Sequence, residues 1–514
     1  MLIKGTATSE ATGKFAENQQ NNYCRDAYHL LGRTGLTVSR LGFGTYRCQQ
    51  NNEYHYQALE KAIENGCNII DTASNYGDGM AEQLIGEVLE KQVSNRRLAR
   101  KSIVLVSKVG YVQGESLTIA QRRESRGLPY PEMVKYQEGL WHCIHPDFIR
   151  EEVERSRQHL KVDTIDIYLL HNPEYFLLDA LQKSIPDAFA IYDEFYRRIG
   201  EAFGVLEELA GKGIIRYYGI SSNTFPGDQG RRDFLSLARV WEIYETVCKR
   251  LKITTAEGHF AVIEFPYNWL ETEAYHIKNN RWKEQELSVL ELAEELSLGV
   301  LANRPLNAIR KNHLLRLAKK KFRDNTNYGK SIREHLDIMR PLEAAIQKYI
   351  KDWNMDVPVQ QRAKLNEFFH NTEKLEELLP RLYEEPQLDN LLIRYFVPTL
   401  QMGGQTFSQN LPEANRPKGK AAIQGLFNQF NLTIQLIREN IHRKNYDKVK
   451  FLENKFDHKF PDLADTLTFS QKALLVAVST PGVDVVLNGM RNPEYVRDSM
   501  NILSYDNIDV QRVL

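Results

Sequence analysis

The sequence predicts an α/β protein, a (β/α)8 TIM barrel with a large all-helical insertion after the seventh strand. Eight apolar runs of four to seven residues alternate with amphipathic stretches at helical spacing. The runs are nearly all apolar, which strands of a parallel sheet covered on both faces require. From 308 to 465 the periodicity is helical alone, and strand-like material resumes only at Val483.

In chain order, residues 1–27 hold little to bury and are expected to form a flexible, loosely held arm. The barrel is expected over 28–307. Turn chemistry around Gly32, Thr34 and Gly35 reads as a small hairpin placed to plug the N-terminal end of the barrel. The strands are Leu41–Thr45, Cys67–Asp71, Ile103–Lys108, Ile165–His171, Ile214–Ile220, Phe260–Phe265, Gly299–Asn303 and Val483–Leu487. The helices that follow them are Tyr54–Asn65, Ala81–Lys91, Pro146–Leu160, Tyr192–Ala210, Arg231–Arg250, Glu284–Leu296, Phe469–Val478 and Pro493–Leu503. Inside the 308–465 insertion, helices are expected over Ile332–Trp353, Val359–Leu379, Leu388–Leu400 and Ala421–Ile441, with loops at Gly403-Gly404 and Pro412–Gly419. Residues 466–514 complete the barrel and add a tail. An insertion after the seventh strand leaves from the C-terminal end of the barrel, the end that carries active sites in this architecture.

Bulk properties exclude several roles. Lys+Arg and Asp+Glu both number 67, so net charge offers no attraction to nucleic acid or an anionic membrane. The five cysteines share no Cys-x-x-Cys spacing, which argues against a disulfide framework and for a reducing cytoplasm. No apolar run approaches the ~20 residues of a membrane helix, and the N-terminus lacks the charged, apolar, small-residue order of a signal peptide.

Three consecutive strand ends carry ionisable residues that packing does not require. The second strand ends in Asp71, with Tyr76 five residues on; the third ends in Lys108 and the fourth in His171. Residues just past successive strands of a parallel barrel converge on one face, so these four are expected to share a pocket. A phenol near pKa ~10 is a poor proton source at neutral pH. An adjacent ammonium favours phenolate and is expected to depress that pKa, while a carboxylate keeps the ammonium charged. An imidazole can orient a carbonyl oxygen. Such a phenol is a general acid worth about 10²–10⁴-fold. Nothing in the set delivers a hydride, so a cofactor must. Each residue alone would more readily be structural: a buried ion pair, a histidine on a backbone carbonyl, a loop aromatic.

Asp71-Thr72-Ala73-Ser74-Asn75-Tyr76-Gly77 reproduces the pattern D-x-A-x-x-Y-G, and with Leu31–Gly35, Leu41–Thr45, Gly66–Ile70 and Glu82–Gly86 it resembles the aldo-keto reductase family. The resemblance covers about residues 28–307 and 466–503 and leaves the insertion outside. It implies Asp71, Tyr76, Lys108 and His171 as a catalytic tetrad, and a reversible NAD(P)-dependent hydride transfer between a small carbonyl compound and its alcohol, with no metal. It also implies that Ser221 and Ser222 hold the nicotinamide carboxamide and that Gly44, Thr45 and Tyr46 form another wall of that pocket.

The sequence departs from the family at three places. Glu264 stands where a glutamine is common; ionised ~5 Å from the ring at an effective dielectric of ~20, it is expected to favour the oxidised nicotinamide by ~3 kcal/mol and to bias the couple towards alcohol oxidation. The alternative is that Glu264 pairs with Arg304 or Arg216 and the effect cancels. Asn303, followed by Arg304, Pro305 and Leu306, stands where an aromatic often stacks on the ring. At the adenosine end, Gly489, Met490, Arg491, Tyr495, Asp498 and Ser499 match the family's loop and last helix, but Tyr495 replaces an arginine. Arg491 or Arg497 suits the 2′-phosphate in its place. NADP is the first expectation and NAD its competitor.

His142-Cys143-Ile144-His145 lacks a second cluster to complete a zinc site, and His145 is placed to flank or cap the helix beginning at Pro146. The 109–141 connection, with Tyr111, Arg122, Arg123, Tyr130 and Trp141, is expected to form part of the substrate wall. The insertion reads as a lid or as a docking surface for a protein partner. The rival to an enzyme is a nucleotide-binding regulatory or scaffold protein on the same barrel.

Overall fold

Eight parallel strands close into a barrel: β1 (Leu41–Gly44), β2 (Ile69–Asp71), β3 (Val104–Val109), β4 (Ile165–His171), β5 (Ile215–Ser221), β6 (Phe260–Pro266), β7 (Gly299–Asn303) and β8 (Val485–Asn488). Each pairs with its neighbours in sequence, and β8 pairs with β1. The computed structural model describes residues 2–184, 188–310, 313–353, 355 and 357–514. The chain divides into two compact units, Met1–Ile309 with Lys455–Leu514, and Arg310–Asn454.

In the first unit the barrel strands alternate with helices Glu53–Glu64, Met80–Ser94, Pro146–Leu160, Ala188–Gly211, Leu237–Leu251, Val289–Glu295, Phe469–Val478 and Pro493–Met500. Local chemistry fixes where several begin. The Asn52 side chain accepts from the Tyr54 and His55 amides, and Ser288 with Glu291 and Thr468 with Gln471 form reciprocal capping boxes. β2 and β8 start two residues later than their apolar runs.

The barrel interior is an apolar cluster that includes Ile69, Val104, Val106, Ile167, Leu169, Val262, Leu301 and Val485. Side chains two apart on a strand share a face. The next inward positions towards the C-terminal end are therefore Asp71, Lys108, His171, Glu264 and Asn303. This alternation delivers the polar layer that makes the site.

The N-terminal end is closed by the expected hairpin, Tyr28–Leu30 paired antiparallel with Thr37–Ser39. Gly32 (φ +44°) is required in its turn, because a Cβ there would lie 2.2 Å from the Gly299 nitrogen. The first 27 residues are not the loose arm that their composition implied. They contain a helix, Ser9–Glu17, and Ala7 belongs to the barrel's interior cluster. The cause is Asp166, fully buried, whose Oδ1 accepts from Thr6 Oγ1 (2.5 Å) and the Ala7 amide (2.6 Å). Its Oδ2 accepts from Arg100 Nη2 and the Leu105 amide, both at 2.8 Å. The 109–141 connection is also more ordered than a loop, with helix Gly114–Ser125 and a three-stranded antiparallel sheet of Tyr111–Val112, Leu140–His142 and Val134–Gln137.

The second unit is built on helices Tyr328–Asp352, Val359–Glu367, Asn371–Leu378, Glu385–Leu391 and Val397–Gln409, and on the long helix Arg416–Lys459 as far as Asn454. Two expected loops are helical. Gly403 and Gly404 lie inside Val397–Gln409, where a Cβ would stand 2.6 Å from Phe368 Cβ and 2.8 Å from Phe427 Cζ. They permit close packing rather than a turn. Of Pro412–Gly419, the part from Arg416 opens the long helix, and a Cβ on Gly419 would lie 2.5 Å from Leu411. Among the described residues no helix is long and apolar enough to cross a membrane.

Replacing Asp166 by alanine is expected to leave Arg100 without its carboxylate and the Ala7 and Leu105 amides without their acceptor, and to lower stability by about 3 kcal/mol. Guanidinium unfolding reads the loss, and trypsin should then cut at Lys4 and Lys14. An unaltered midpoint with an uncut N-terminus would show that Asp166 does not hold the arm.

Candidate active site

Lys108 is the centre of the polar layer. Its ammonium, fully buried, donates to Asp71 Oδ1 and to the Thr72 carbonyl oxygen at 3.0 Å, and lies 3.3 Å from Glu264 Oε2. β2 and β3 pair side by side, with Asp71 opposite Val106, so the ion pair follows from the register.

Tyr76 comes from the turn after β2. Its amide bonds the Ala73 carbonyl oxygen at 3.1 Å, and the backbone reverses through Gly77, Asp78 and Gly79, all at positive φ, before helix Met80–Ser94. The reversal carries the phenol ring back across the strand ends, and the Lys108 ammonium lies over it, 5.2 Å from the centroid. His171 meets Tyr76 edge-on at 5.9 Å between centroids, and Tyr111 meets His171 edge-on at 4.7 Å. The four residues from three strand ends do converge.

Burial pushes the Tyr76 phenol above its ordinary pKa; Lys108 pulls it down, and Asp71 and Glu264 push it up again. The net direction is upward, against the depression expected from sequence, because the layer is dry and holds a second carboxylate. Burial also pushes the Asp71 carboxyl up, to about 7, with Lys108 opposing and Glu264 adding. Burial alone would pull Lys108 down, but Asp71, Glu264 and Tyr76 lift it above its ordinary value, so it remains an ammonium. Burial, then Lys108, then His142 hold His171 well below the ordinary imidazole range, so its ring is neutral at neutral pH.

Glu264 is 1% exposed, and its partners are not the arginines suggested by sequence. Arg304 pairs with Glu271 at 3.2 Å, and Arg216 donates to the Ala7 carbonyl oxygen. Instead Glu264 takes Lys108 on one oxygen and Asn303 Nδ2 on the other at 2.7 Å. Asn303 therefore holds a carboxylate where a stacking ring was looked for.

The other residues singled out from sequence divide into two sets. Ser221 and Ser222 are buried at the end of β5, the Ser222 amide bonded to the Glu264 carbonyl oxygen at 2.9 Å. Gly44 ends β1, and Tyr46 is 68% exposed with its ring 5.2 Å from that of Tyr76. Gly489, Arg491, Arg497 and Tyr495 are exposed around the start of helix Pro493–Met500. By contrast, Thr45 Oγ1 is spent on the Asp71 carbonyl oxygen at 2.8 Å, and Met490 is wholly buried. Asp498 accepts from Thr468 and Ser470, and the buried Ser499 accepts from Asn488 Nδ2. Pro305 is buried and Leu306 half-buried after Arg304, which stands at φ +56°.

Asn172 and Glu174 belong to the site and were not singled out from sequence. Asn172 Oδ1 accepts from the Tyr111 hydroxyl at 3.2 Å, and Glu174 Oε1 accepts from Asn172 Nδ2 at 2.7 Å and the Asn223 amide at 2.9 Å. The available signal was a polar pair directly after a strand end. His142 Nε2 lies 2.8 Å from the His171 carbonyl oxygen, and His145 caps helix Pro146–Leu160. Among the described residues no group of three or more His, Cys, Asp or Glu is placed to hold a metal ion.

The barrel mouth also collects buried polar atoms that have no hydrogen-bond partner: Thr72 Oγ1, Asn75 Oδ1, Glu174 Oε2, Glu264 Oε2, Asn303 Oδ1 and Arg304 Nε. Each left unpaired costs ~1–3 kcal/mol, which a polar ligand seated among them would recover.

Residues 40–397 match the model of the aldo/keto reductase family. The chain is 30% identical over 200 residues to an NADH-specific methylglyoxal reductase of Escherichia coli, a match covering 37% of this chain and 51% of that one. It is 24% identical over 200 residues to an NAD(P)H-dependent D-xylose reductase of Scheffersomyces stipitis, covering 38% and 51%. The chain thus spans about half the length of these curated relatives. The solved structure of a glycerol dehydrogenase from Gluconobacter oxydans aligns over 95% of this chain and 93% of its own, at 16% identity and a TM-score of 0.46.

Burial also lowers His142, to about 4. The unfolded chain binds a proton there that the folded chain refuses, so this contribution to stability is present above about pH 6.5 and disappears as pH falls through about 4. The loss from His142 is expected to be about 3 kcal/mol. His142→Gln should reduce the slope of unfolding free energy against pH across that window, His171 keeping a slope of the same sign; an unchanged slope would remove His142 as a source.

Proposed function

The chain belongs to the aldo/keto reductase family, and from that premise we propose that it interconverts an aldehyde or ketone and the corresponding alcohol, with NAD(P) as hydride carrier. The observation that carries this reading is the buried ammonium of Lys108, held by Asp71 and lying over the ring of Tyr76, an arrangement that can move a proton at a carbonyl.

The cofactor, when bound, supplies or takes the hydride at the carbonyl carbon. The chain supplies the rest. Tyr76 gives its phenolic proton to the carbonyl oxygen as that oxygen gains electrons, and takes it back in the reverse direction. Lys108 stabilises the phenolate that remains, because its charge acts through a medium from which water is excluded. Asp71 keeps Lys108 protonated and in place. His171, neutral, donates a ring N–H to the same oxygen and so fixes the direction of approach. Tyr111, packed on His171 and bonded to Asn172, holds that ring in position.

The buried unpartnered atoms at the ends of β6 and β7 fit an amide-bearing ring. Ser221, Ser222, Glu264 and Asn303 would hold it. At the other end of the cofactor, Gly489 and Arg491 precede a helix N-terminus, where phosphate is favoured. Arg491 is exposed there, which supports NADP as the preferred form.

Tyr76→Phe is expected to lower kcat at least about 100-fold while NADPH still binds. The assay is NADPH oxidation over a panel led by methylglyoxal and D-xylose, with binding followed by nicotinamide fluorescence. Undiminished turnover in the variant would overturn the reading. Arg491→Ala should weaken NADPH about tenfold and leave NADH nearly unchanged. Equal weakening of both would take Arg491 away from the 2′-phosphate.

A further inference from the structure

The charges at the barrel mouth do not cancel. Above the value of about 7 to which burial raises Asp71, one ammonium, Lys108, faces two carboxylates, Asp71 and Glu264, and the adjoining Tyr76 and His171 are neutral. Asp71 takes the close hydrogen bond. Glu264 is held from behind by Asn303, and its Oε2 sits 3.3 Å from the ammonium without completing a hydrogen bond. Arg304 and Arg216 are engaged elsewhere, Arg304 with Glu271 and Arg216 with the Ala7 carbonyl oxygen. A buried carboxylate oxygen that completes no hydrogen bond is costly, and a further positive charge beside it would lower that cost.

Resting on the oxidoreductase reading, we infer that Glu264 is a specificity-determining residue that makes this site bind the oxidised, cationic nicotinamide more tightly than the neutral reduced ring. The two forms of the cofactor carry the same phosphates and the same adenosine, so they differ in charge only at the ring. A hydride donor must bring that ring against the carbonyl carbon whose oxygen meets Tyr76, and Lys108 links Tyr76 to Glu264. At a separation of ~5–8 Å and an effective dielectric of ~20, the attraction of this carboxylate for a unit charge on the ring would amount to a tenfold preference or more. Asn303 keeps the charge aimed into the site instead of letting it turn towards Arg304.

The sign of the chemical outcome is the reverse of the one read from sequence. Stabilising the cation favours departure of hydride from the reduced ring, so the bound equilibrium tilts towards carbonyl reduction and not towards alcohol oxidation. The electron pair leaves as hydride to the carbonyl carbon, the proton comes from Tyr76, and the ring is left with the positive charge that Glu264 faces.

The test compares dissociation constants of NADP⁺ and NADPH, and of NAD⁺ and NADH, by calorimetry at about pH 8.5, above the value of about 7 to which burial raises Asp71. Glu264→Gln keeps an oxygen for Asn303 and removes the charge. The ratio of the reduced to the oxidised dissociation constant is expected to fall about tenfold or more in this variant. Glu264→Asp, which keeps the charge, should hold the ratio near that of the wild type. An unchanged ratio in Glu264→Gln, with both forms still bound, would mean that the two carboxylates share a proton, and the inference fails alone. If the wild-type chain binds none of the four nucleotides, the oxidoreductase reading falls and takes this inference with it.

Discussion

The burial of one ammonium constrains this molecule more than any other interaction. A lysine stripped of water must be surrounded by acceptors or lose its proton. Lys108 keeps its proton because β2 brings Asp71 and the Thr72 carbonyl oxygen to it from one side, while β6 brings Glu264 from the other. The turn carrying Tyr76 follows directly from Asp71, so the position of the phenol depends on the same pair. If the register of β2 against β3 slipped by one residue, Asp71 would move to the outer face and leave the ammonium a single carboxylate.

Much of this was legible in the sequence, and for a definable reason. Alternation of apolar runs with helical stretches identified all eight strands, because a closed parallel barrel imposes the same local requirement eight times over. Asp71, Lys108 and His171 could be found because each interrupts an apolar run at its end. What was missed at Glu264 was also present in the pattern. Val262 and Glu264 stand two apart, as do Val106 and Lys108, so strand parity alone puts Glu264 and Lys108 on the inner face. The arginines weighed as its partners are held by other groups, Arg304 by Glu271 and Arg216 by the Ala7 carbonyl oxygen.

Other features lay beyond any local pattern. The arm over 1–27 is too polar to predict its own docking; it is ordered because the far end of the barrel presents Asp166, whose oxygens need donors from a segment some 160 residues away in sequence. Gly403-Gly404 has the composition of a turn, and only the proximity of Phe368 and Phe427 makes it a packing surface inside a helix. The phenol's pKa direction went astray for a related reason. The attraction of Lys108 was visible in the sequence, whereas the desolvation and the second carboxylate that outweigh it arise only once the chain has folded.

The two ends of the barrel treat their buried charges differently. At the N-terminal end both oxygens of Asp166 are satisfied, two donors to each, although Nε of Arg100 and of Arg40 stays without a partner there. At the C-terminal end Glu264, Asn303, Glu174, Asn75 and Thr72 each keep a buried polar atom unpaired. Apolar residues of similar volume would remove the penalty that these unpaired atoms carry. Their position, at the last inward residues of the strands and in the turns just beyond, is where the proposed polar ligand would supply partners. The helix-rich second unit does not alter that conclusion, because every group in this polar layer is carried by the barrel's own strands and the turns that follow them.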